Sequence, residues 1–132
     1  GRSGVADIAI INRTRSSAEA AADLAAVARV GVLDDVAGAG LLVNATSIGM
    51  GADDLPLAAN LLRSDLAVAD IVYHPIETAL LRAASEVGAL TIDGLGMLVQ
   101  QAVLQQRLWT GQRPDPTLMR AAAEAELAAR SA

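Results

Sequence analysis

The sequence predicts an α/β fold built on a doubly wound parallel sheet with helices packed against it. Short apolar runs alternate with longer alanine-rich segments of helical character, which is the pattern of strands connected by helices. Aromatic residues make up 2% of the chain against 53% apolar residues, so the core must be aliphatic. The stretch LLVNATSIGM at 41–50 passes from an apolar run into small polar residues, which is typical of the carboxyl end of a buried parallel strand.

The first third of the chain contains one clear strand and one helix. The residues predict a strand at 8–11, a helix from about 16 to 28, a weak strand near 30–33, a loop or helical turn at 34–40 and a strand at 41–43. Ser16 stands three residues before Glu19, the spacing of a capping box, which is why the helix is expected to begin there.

The remainder continues the alternation. We expect a strand at 66–73, a helix at 76–87, a short strand at 90–92 and helices at 97–110 and 116–130. Pro75 suits the first turn of a helix, while Gly88 and Gly111 are natural left-handed helix ends. Asp115 followed by Pro116 has the character of a helix cap and first helical position.

Composition excludes several classes of protein. A chain of 132 residues suits a single domain over 1–132, with one core. There is no cysteine and one histidine, His74, which argues against disulfides, a thiol nucleophile and a metal site. The net charge is −5, and all ten cations are scattered arginines, so no nucleic-acid partner is expected. No long apolar run or leader is evident, so we expect no membrane contact and a cytoplasmic location.

Asn12 and Arg13 follow the first predicted strand. This strand corresponds to the second strand of a dinucleotide-binding fold, whose end meets the adenosine ribose. An acidic residue there accepts from a free ribose 2′-hydroxyl, whereas arginine accommodates a 2′-phosphate. This chain has arginine and no acid there, which favours NADP over NAD. The alternative is that Arg13 and Arg15 are solvated loop cations.

Gln101 lies on an apolar stripe of a predicted helix. At 3.6 residues per turn, Met97, Gln101, Leu104 and Leu108 share one face. A buried amide must be hydrogen-bonded, so either neighbouring backbone satisfies it or it reaches into a cleft and binds a polar ligand.

Other polar or aromatic side chains carry weaker signals. Tyr73, at the end of a predicted strand, is able to bond a ligand or to form a core edge. His74 has no evident orienting partner and is interpreted as a loop residue. Ser47 lacks a G-x-S-x-G setting, and Trp109 lies off the stripe and is expected to pack.

Four stretches in a fixed order resemble the cofactor-binding half of the shikimate dehydrogenase family. They are INRT at 11–14, LLVNATSIGM at 41–50, DIVYHPIETALL at 70–81 and DGLGMLVQQAVLQQRLWTG at 93–111. The resemblance implies a Rossmann-like carboxyl-terminal domain that binds NADP. It also implies the reversible, NADP-dependent reduction of 3-dehydroshikimate to shikimate, a step of chorismate and aromatic amino-acid biosynthesis.

The resemblance also assigns expected roles to individual residues. Those expected to contact the cofactor are Asn12, Arg13 and Thr14 at the 2′-phosphate, with Arg15 as a stand-in, Asn44, Ala45 and Thr46 beside it, and Gly94 and Met97 at the nicotinamide end. Tyr73 and Gln101 match positions that meet the substrate.

The chain departs from the family pattern in three places. Ser17 stands where family members often have a further arginine, and the chain has no lysine, so the family's catalytic lysine and aspartate are expected outside it. The first strand with its glycine-rich turn is also not found, which would leave the sheet incomplete and its neighbouring strands with bare edges. We therefore expect an amino-terminally truncated chain without its substrate domain, which alone is inactive and does not bind NADP tightly. We expect it to pair with that domain or to form a homodimer. A non-catalytic NADP-binding module and a quinate/shikimate dehydrogenase relative are the alternatives.

Overall fold

A computed structural model describes residues 4–131 of the chain, and the side chains of residues 4–130. The chain divides into two compact units, Gly1–Ala39 and Gly40–Ala132. Strands and helices alternate in both units, and all strand pairings are parallel. The predicted α/β fold class is thereby confirmed, while the expectation of one domain over 1–132 stays a prediction.

The first unit is a two-stranded parallel sheet covered by one helix. Its elements are β1 (Ile8–Ile10), α1 (Arg15–Ala22), β2 (Ala28–Val30) and a 3-10 helix at Leu33–Gly38. Ile8 lies opposite Ala28 in the pairing of β1 with β2. The side chains of Ala18 and Val36 are its buried apolar residues.

Helix α1 is shorter than the sequence pattern predicted. Its cap is Thr14, so Ser16 lies inside the helix and the expected capping box does not form. Glu19 instead accepts a hydrogen bond from Arg15 Nε at 2.8 Å, one turn earlier. The helix ends at Ala22, and the residues after it lead into β2. The capping-box prediction was wrong because the helix begins one residue before Ser16, which places Ser17 and not Glu19 three residues after the cap.

The second unit is a three-stranded parallel sheet with three helices. Its elements are β3 (Leu41–Asn44), a 3-10 helix at Ala59–Leu61, β4 (Ala67–Asp70), α2 (Ala79–Glu86), β5 (Leu90–Ile92), α3 (Gly94–Thr110) and α4 (Pro116–Ser131). The strand order is β3-β4-β5, so β4 is central. Helix α2 contacts β4 and β5, and α3 contacts α4.

The core of the second unit is aliphatic, as its composition predicted. The fully buried side chains with the largest volumes are Leu66, Val68, Val72, Leu80 and Leu95. They come from the central strand, from the segments flanking it, and from α2 and α3. The central strand and the segments that flank it therefore supply three of these five side chains.

The starts of α2 and α3 differ from prediction, whereas the ends of these two helices agree with it. Thr78 Oγ1 accepts from Leu81 N at 3.3 Å and caps α2, so Pro75 lies outside that helix. Asp93 caps α3, which begins three residues before the predicted 97. Gly88 and Gly111 both have positive φ, as expected for left-handed helix ends. Both starts were misjudged because a side-chain cap decides where each helix begins, Thr78 instead of the predicted Pro75 in α2 and Asp93 in α3.

Strands β1 and β3 are less buried than predicted. Ile8 on β1 is exposed, as are Leu41 and Val43 on β3. Within residues 4–131, β1 pairs only with β2, and β3 only with β4. Side chains of parallel strands are normally covered on both faces. The expectation that these two strands are buried was wrong, whereas the bare edges expected for them are confirmed within residues 4–131, where each is an edge strand of its own unit.

We expect Gly94→Ala to destabilise the protein by about 1–3 kcal/mol, because overpacking at a backbone contact cannot be relieved by a rotamer change. A Cβ at Gly94 would lie 2.5 Å from the carbonyl oxygens of Ile71 and Val72. Urea unfolding followed by circular dichroism measures the effect.

Gly96→Ala is the matched control on the same helix, where a Cβ would meet atoms at 3.5 Å or more. It should be neutral or stabilising by up to about 1 kcal/mol, because alanine favours helix. Equal effects of the two substitutions would contradict a close approach at Gly94.

Candidate functional site

The carboxyl ends of β3 and β4 meet at a buried pair of polar side chains. Asn44 and Asp70 are the last residues of their strands and are partners in the parallel register. Asn44 Nδ2 donates to Asp70 Oδ1 at 3.0 Å and to the carbonyl oxygen of Ile48 at 3.0 Å. The side chains are 4% and 2% exposed, so the two strand ends are joined away from water.

Asn44 also shapes the loop that follows β3. Its Oδ1 accepts from Thr46 N at 3.1 Å and from Thr46 Oγ1 at 2.7 Å. The same hydroxyl accepts from Ile48 N at 3.1 Å. Asparagine often bonds the backbone two residues on in this way, which folds the chain into a tight turn. The sequence placed Asn44 among ligand-contacting residues, whereas the structure gives its amide a role inside the protein.

Asp70 is a site residue that the sequence reasoning missed. Its Oδ1 accepts from Val72 N at 3.0 Å, in addition to Asn44, and its Oδ2 accepts from Thr78 Oγ1 at 2.7 Å. Thr78 is fully buried. The available signal was an acidic residue inside the predicted strand at 66–73, where hydrophobic residues are expected.

A cavity of about 390 Å³ opens beside these strand ends. Its lining comes from loop residues 45–47 and Met50, loop residues 71–73, and Met97, Leu98 and Gln101 of α3. The walls are mainly apolar, with a few hydroxyl groups and one amide, which is the usual make-up of a small-molecule site. Five side chains predicted for the site lie here: Ala45, Thr46, Tyr73, Met97 and Gln101.

Gln101 lies on the predicted stripe of α3, but this stripe does not pack into the core. The stripe of Met97, Gln101, Leu104 and Leu108 is exposed, and α3 instead buries Leu95, Val99 and Val103. The prediction of a buried stripe was wrong, because α3 carries apolar residues on both faces and periodicity alone did not decide which one packs. Of the two alternatives for the amide, the structure supports the cleft.

The remaining predictions for this unit have mixed outcomes. Trp109 is 77% exposed, so the expectation that it packs was wrong. Gly94 does not line the cavity, and its missing side chain allows α3 to approach the backbone of Ile71 and Val72.

Tyr73 also lines a smaller cavity of about 210 Å³ together with Met50, His74, Leu127 and Arg130. Within the described residues, no group of three or more acidic, histidine or cysteine side chains is placed to hold a metal ion.

In the first unit, the predicted phosphate-binding residues lie at the carboxyl end of β1. Asn12 Oδ1 accepts from Thr14 N at 3.0 Å and closes a turn that leaves Arg13 exposed. Arg13 makes no ion pair within residues 4–130. Arg15 is paired with Glu19 at 2.8 Å, although both side chains are largely in solvent, where such pairs are weak.

Arg29 in the same unit differs from Arg13, because its charge is paired with carboxylates. Its guanidinium bonds Asp7 and Asp35 through several nitrogens at 2.8–3.3 Å. These carboxylates raise the pKa of Arg29, and the arginine lowers the pKa of Asp35. Arg29 is therefore occupied by acidic partners, while Arg13 is able to meet an anion.

Asp93 joins the start of α3 to α4 within the second unit. Its Oδ1 accepts from Gly96 N at 2.7 Å, and both oxygens accept from Arg120, at 3.0 and 2.9 Å. The arginine is the main reason that the pKa of Asp93 is lowered, and the carboxylate is the main reason that the pKa of Arg120 is raised. The bidentate pair holds the first turn of α3, the helix from which Met97 and Gln101 reach the cavity.

None of the helices within residues 4–131 combines the length and hydrophobicity required to cross a bilayer.

Comparison with known proteins gives consistent matches over most of the chain. The family model described as shikimate 5′-dehydrogenase C-terminal domain matches residues 94–124. The NADP(+) shikimate dehydrogenase of Thermococcus kodakarensis is 44% identical over 127 residues, which cover 89% of this chain and 44% of the relative. The chain thus spans less than half the length of this curated relative.

Two solved structures have closely similar folds. The shikimate 5-dehydrogenase of Thermus thermophilus, in complex with NADP(H) and shikimate, has a TM-score of 0.87 and 38% identity over 94% of this chain and 47% of that one. The quinate dehydrogenase of Corynebacterium glutamicum, in complex with NAD, has a TM-score of 0.85 and 36% identity, over 92% and 47% respectively.

We expect the ion pair of Asp93 with Arg120 to stabilise the protein at neutral pH and to lose its effect in acid. The folded-state pKa of Asp93 lies below its ordinary value of 3.8, so the unfolded chain takes up the proton first as the pH falls. The contribution is therefore complete above that value and disappears as the pH passes through the folded-state pKa. Urea unfolding of the unmodified chain and of Arg120→Met, from about pH 7 to pH 2, measures it.

Arg120→Met should cost about 1 kcal/mol at neutral pH, a small effect because both side chains are partly in water, and the gap should close in acid. Arg130→Met is the control, since its pair with Glu126 lies in solvent. A gap that stays constant with pH would contradict the assigned ion pair.

Proposed function

We propose that the chain belongs to the shikimate dehydrogenase family and forms the cofactor-binding half of an enzyme that interconverts 3-dehydroshikimate and shikimate with NADP. The observation that carries this proposal is the cavity where the loops after β3 and β4 meet α3, with the Gln101 amide in its wall. Open parallel sheets bind their ligands at this end of the strands.

The lining of the cavity fits the nicotinamide end of the cofactor. A volume of about 390 Å³ suits a ring with its sugar better than a whole dinucleotide. Ala45, Thr46 and Met97 would border the ring, with the polar groups of Tyr73 and Gln101 left for a hydroxyl-bearing substrate. Asn44 and Gly94 would act indirectly, by shaping the loop and the helix approach. NADP, when bound, supplies or accepts the hydride.

The turn after β1 fits the phosphate that distinguishes NADP from NAD. Arg13 is exposed and without an acidic partner among the described residues, and no acid stands beside it in the turn. Asn12 and Thr14 would add polar contacts, and Arg15 would need to leave Glu19 in order to contribute. A guanidinium bonds phosphate through charge-assisted, forked contacts, which a ribose hydroxyl does not match.

We assign no catalytic residue to this chain. It contains no lysine, the residue type that the family uses with an aspartate, and it covers less than half of its relatives. Turnover therefore needs a substrate domain that supplies these groups, either in the same polypeptide or as a partner. We also propose that the reaction takes place in the cytoplasm and that two copies of the chain pair.

A quinate/shikimate dehydrogenase with a preference for NAD is the second candidate. The similar quinate dehydrogenase was solved with NAD, so the shared fold accommodates that cofactor. The two candidates differ at the adenosine ribose of the cofactor. Binding the 2′-phosphate of NADP requires Arg13, whereas binding the free 2′-hydroxyl of NAD does not. A module that binds NADP without a reaction is the third candidate, and it shares the Arg13 requirement.

We expect Arg13→Ala to weaken NADP binding about 10- to 100-fold, since a hydrogen bond to a charged group contributes about 1.5–3 kcal/mol. NAD binding should not change. Calorimetric titration of the full chain with each cofactor measures both affinities.

Arg113→Ala removes an exposed arginine from the loop after α3 and serves as the charge-matched control. It should leave both affinities unchanged. If Arg13→Ala weakens NADP and NAD equally, the phosphate role is refuted, and tighter binding of NAD than NADP by the unmodified chain would favour the quinate-type candidate.

Gln101→Leu should weaken shikimate binding to the NADP-saturated chain by about 2- to 10-fold, the effect of losing one neutral hydrogen bond. The neighbouring Gln100 is exposed and does not line the cavity, so Gln100→Leu is the matched control. Saturation-transfer NMR with shikimate measures the affinity. Equal losses in the two variants would remove Gln101 from the site.

A further inference from the structure

We propose that Asp70 is a positioning residue that sets the distance between the two loops of the cavity, and through it the recognition of the nicotinamide end of NADP. The inference rests on the proposed function. It assigns a role to a carboxylate that is 2% exposed, does not line the cavity, and is therefore unable to touch a ligand directly.

The Asp70 carboxylate holds both loops of the cavity, the loop after β3 and the loop after β4. Oδ1 accepts from Asn44 Nδ2 and from Val72 N, each at 3.0 Å. Asn44 in turn bonds Thr46 and Ile48, so the loop after β3 is held through this side chain. Val72 belongs to the loop after β4 and lines the cavity itself. The positions of both loops are therefore fixed by hydrogen bonds to the same oxygen atom, Asp70 Oδ1.

The third wall of the cavity, helix α3, packs against the loop that Asp70 holds. A Cβ at Gly94 would lie 2.5 Å from the carbonyl oxygens of Ile71 and Val72, so α3 begins in close contact with the loop that Asp70 holds. Met97 and Gln101 follow on this helix and complete the lining. A shift of Val72 would therefore be transmitted to the helix as well as to the loop.

The two oxygens of the Asp70 carboxylate have different partners. The other oxygen, Oδ2, accepts from Thr78 Oγ1 at 2.7 Å, and this hydroxyl caps α2, which contributes no residue to the cavity lining. The carboxylate thus has one oxygen on the cavity side and one on the side of α2. Substitutions that affect the two sides separately distinguish a role in cavity geometry from a role in folding alone.

The experiment compares two ligands on the full chain. Adenosine 2′,5′-bisphosphate carries the 2′-phosphate without the nicotinamide, so the ratio of its dissociation constant to that of NADP reports on the nicotinamide end. Asp70→Ala should reduce this ratio about tenfold, because it removes hydrogen bonds from both loops. The affinity for the bisphosphate should stay unchanged. Calorimetry gives the affinities, and thermal unfolding gives the stability of each variant.

Two further variants complete the test. Asp70→Asn keeps an acceptor for Asn44 and Val72 and should restore the ratio to within about threefold of the original. Thr78→Val is nearly isosteric and removes the bond to Oδ2 and the cap of α2, so it should lower the unfolding temperature without changing the ratio. If Asp70→Ala does not fold, Asp70→Ser, which accepts from one donor but not from all three, should reduce the ratio at least about threefold.

Three results would overturn the inference. An unchanged ratio in folded Asp70→Ala or Asp70→Ser, with NADP still bound by the unmodified chain, refutes the positioning role and leaves the proposed function intact. An equal reduction in Thr78→Val reduces Asp70 to a residue of general stability. If the unmodified chain binds neither NADP nor adenosine 2′,5′-bisphosphate, the proposed function is refuted, and this inference is refuted with it.

Discussion

The hydrogen-bonded pair of Asn44 and Asp70 is the constraint on which the second unit depends. Two polar side chains end adjacent parallel strands, and both are removed from water. Leaving a buried donor or acceptor unsatisfied costs about 1–3 kcal/mol, so the surrounding loops adopt the conformation that satisfies all of them. In the part of the chain that the structure describes, no buried side-chain nitrogen or oxygen lacks a partner.

From that pair, the geometry of the site follows in a chain of contacts. Asn44 closes the turn that presents Thr46, and Asp70 holds Val72 and, through Thr78, the cap of α2. Gly94 then lets α3 begin against the same loop, and Gln101 comes to the cavity wall. The cavity lining thus lies on two loops and on α3, while the side chains that hold the loops, Asn44 and Asp70, are buried at the ends of strands.

The distribution of charge separates two kinds of arginine in this chain. Arg29 and Arg120 are engaged by carboxylates within their own units, which raise the pKa of each guanidinium. These pairs organise local structure and leave little charge for a ligand. Arg13 is exposed and without an acidic partner among the described residues, so its full charge is available. The proposed preference for NADP depends on this contrast more than on the net charge of −5, which would repel a phosphate.

The sequence by itself determined the fold class, the order of its elements and the features set by local chemistry. The strand at 90–92, the left-handed glycine at 111 and the Asp115–Pro116 start of α4 were all predictable, because turns and caps are decided within a few residues. Only the tertiary structure decided which face of α3 is buried, that Trp109 is exposed and that Asp70 joins two strands. Those outcomes depend on neighbours distant in sequence, and an apolar pattern on both faces of a helix, or one carboxylate at a strand end, does not specify which neighbour it will meet.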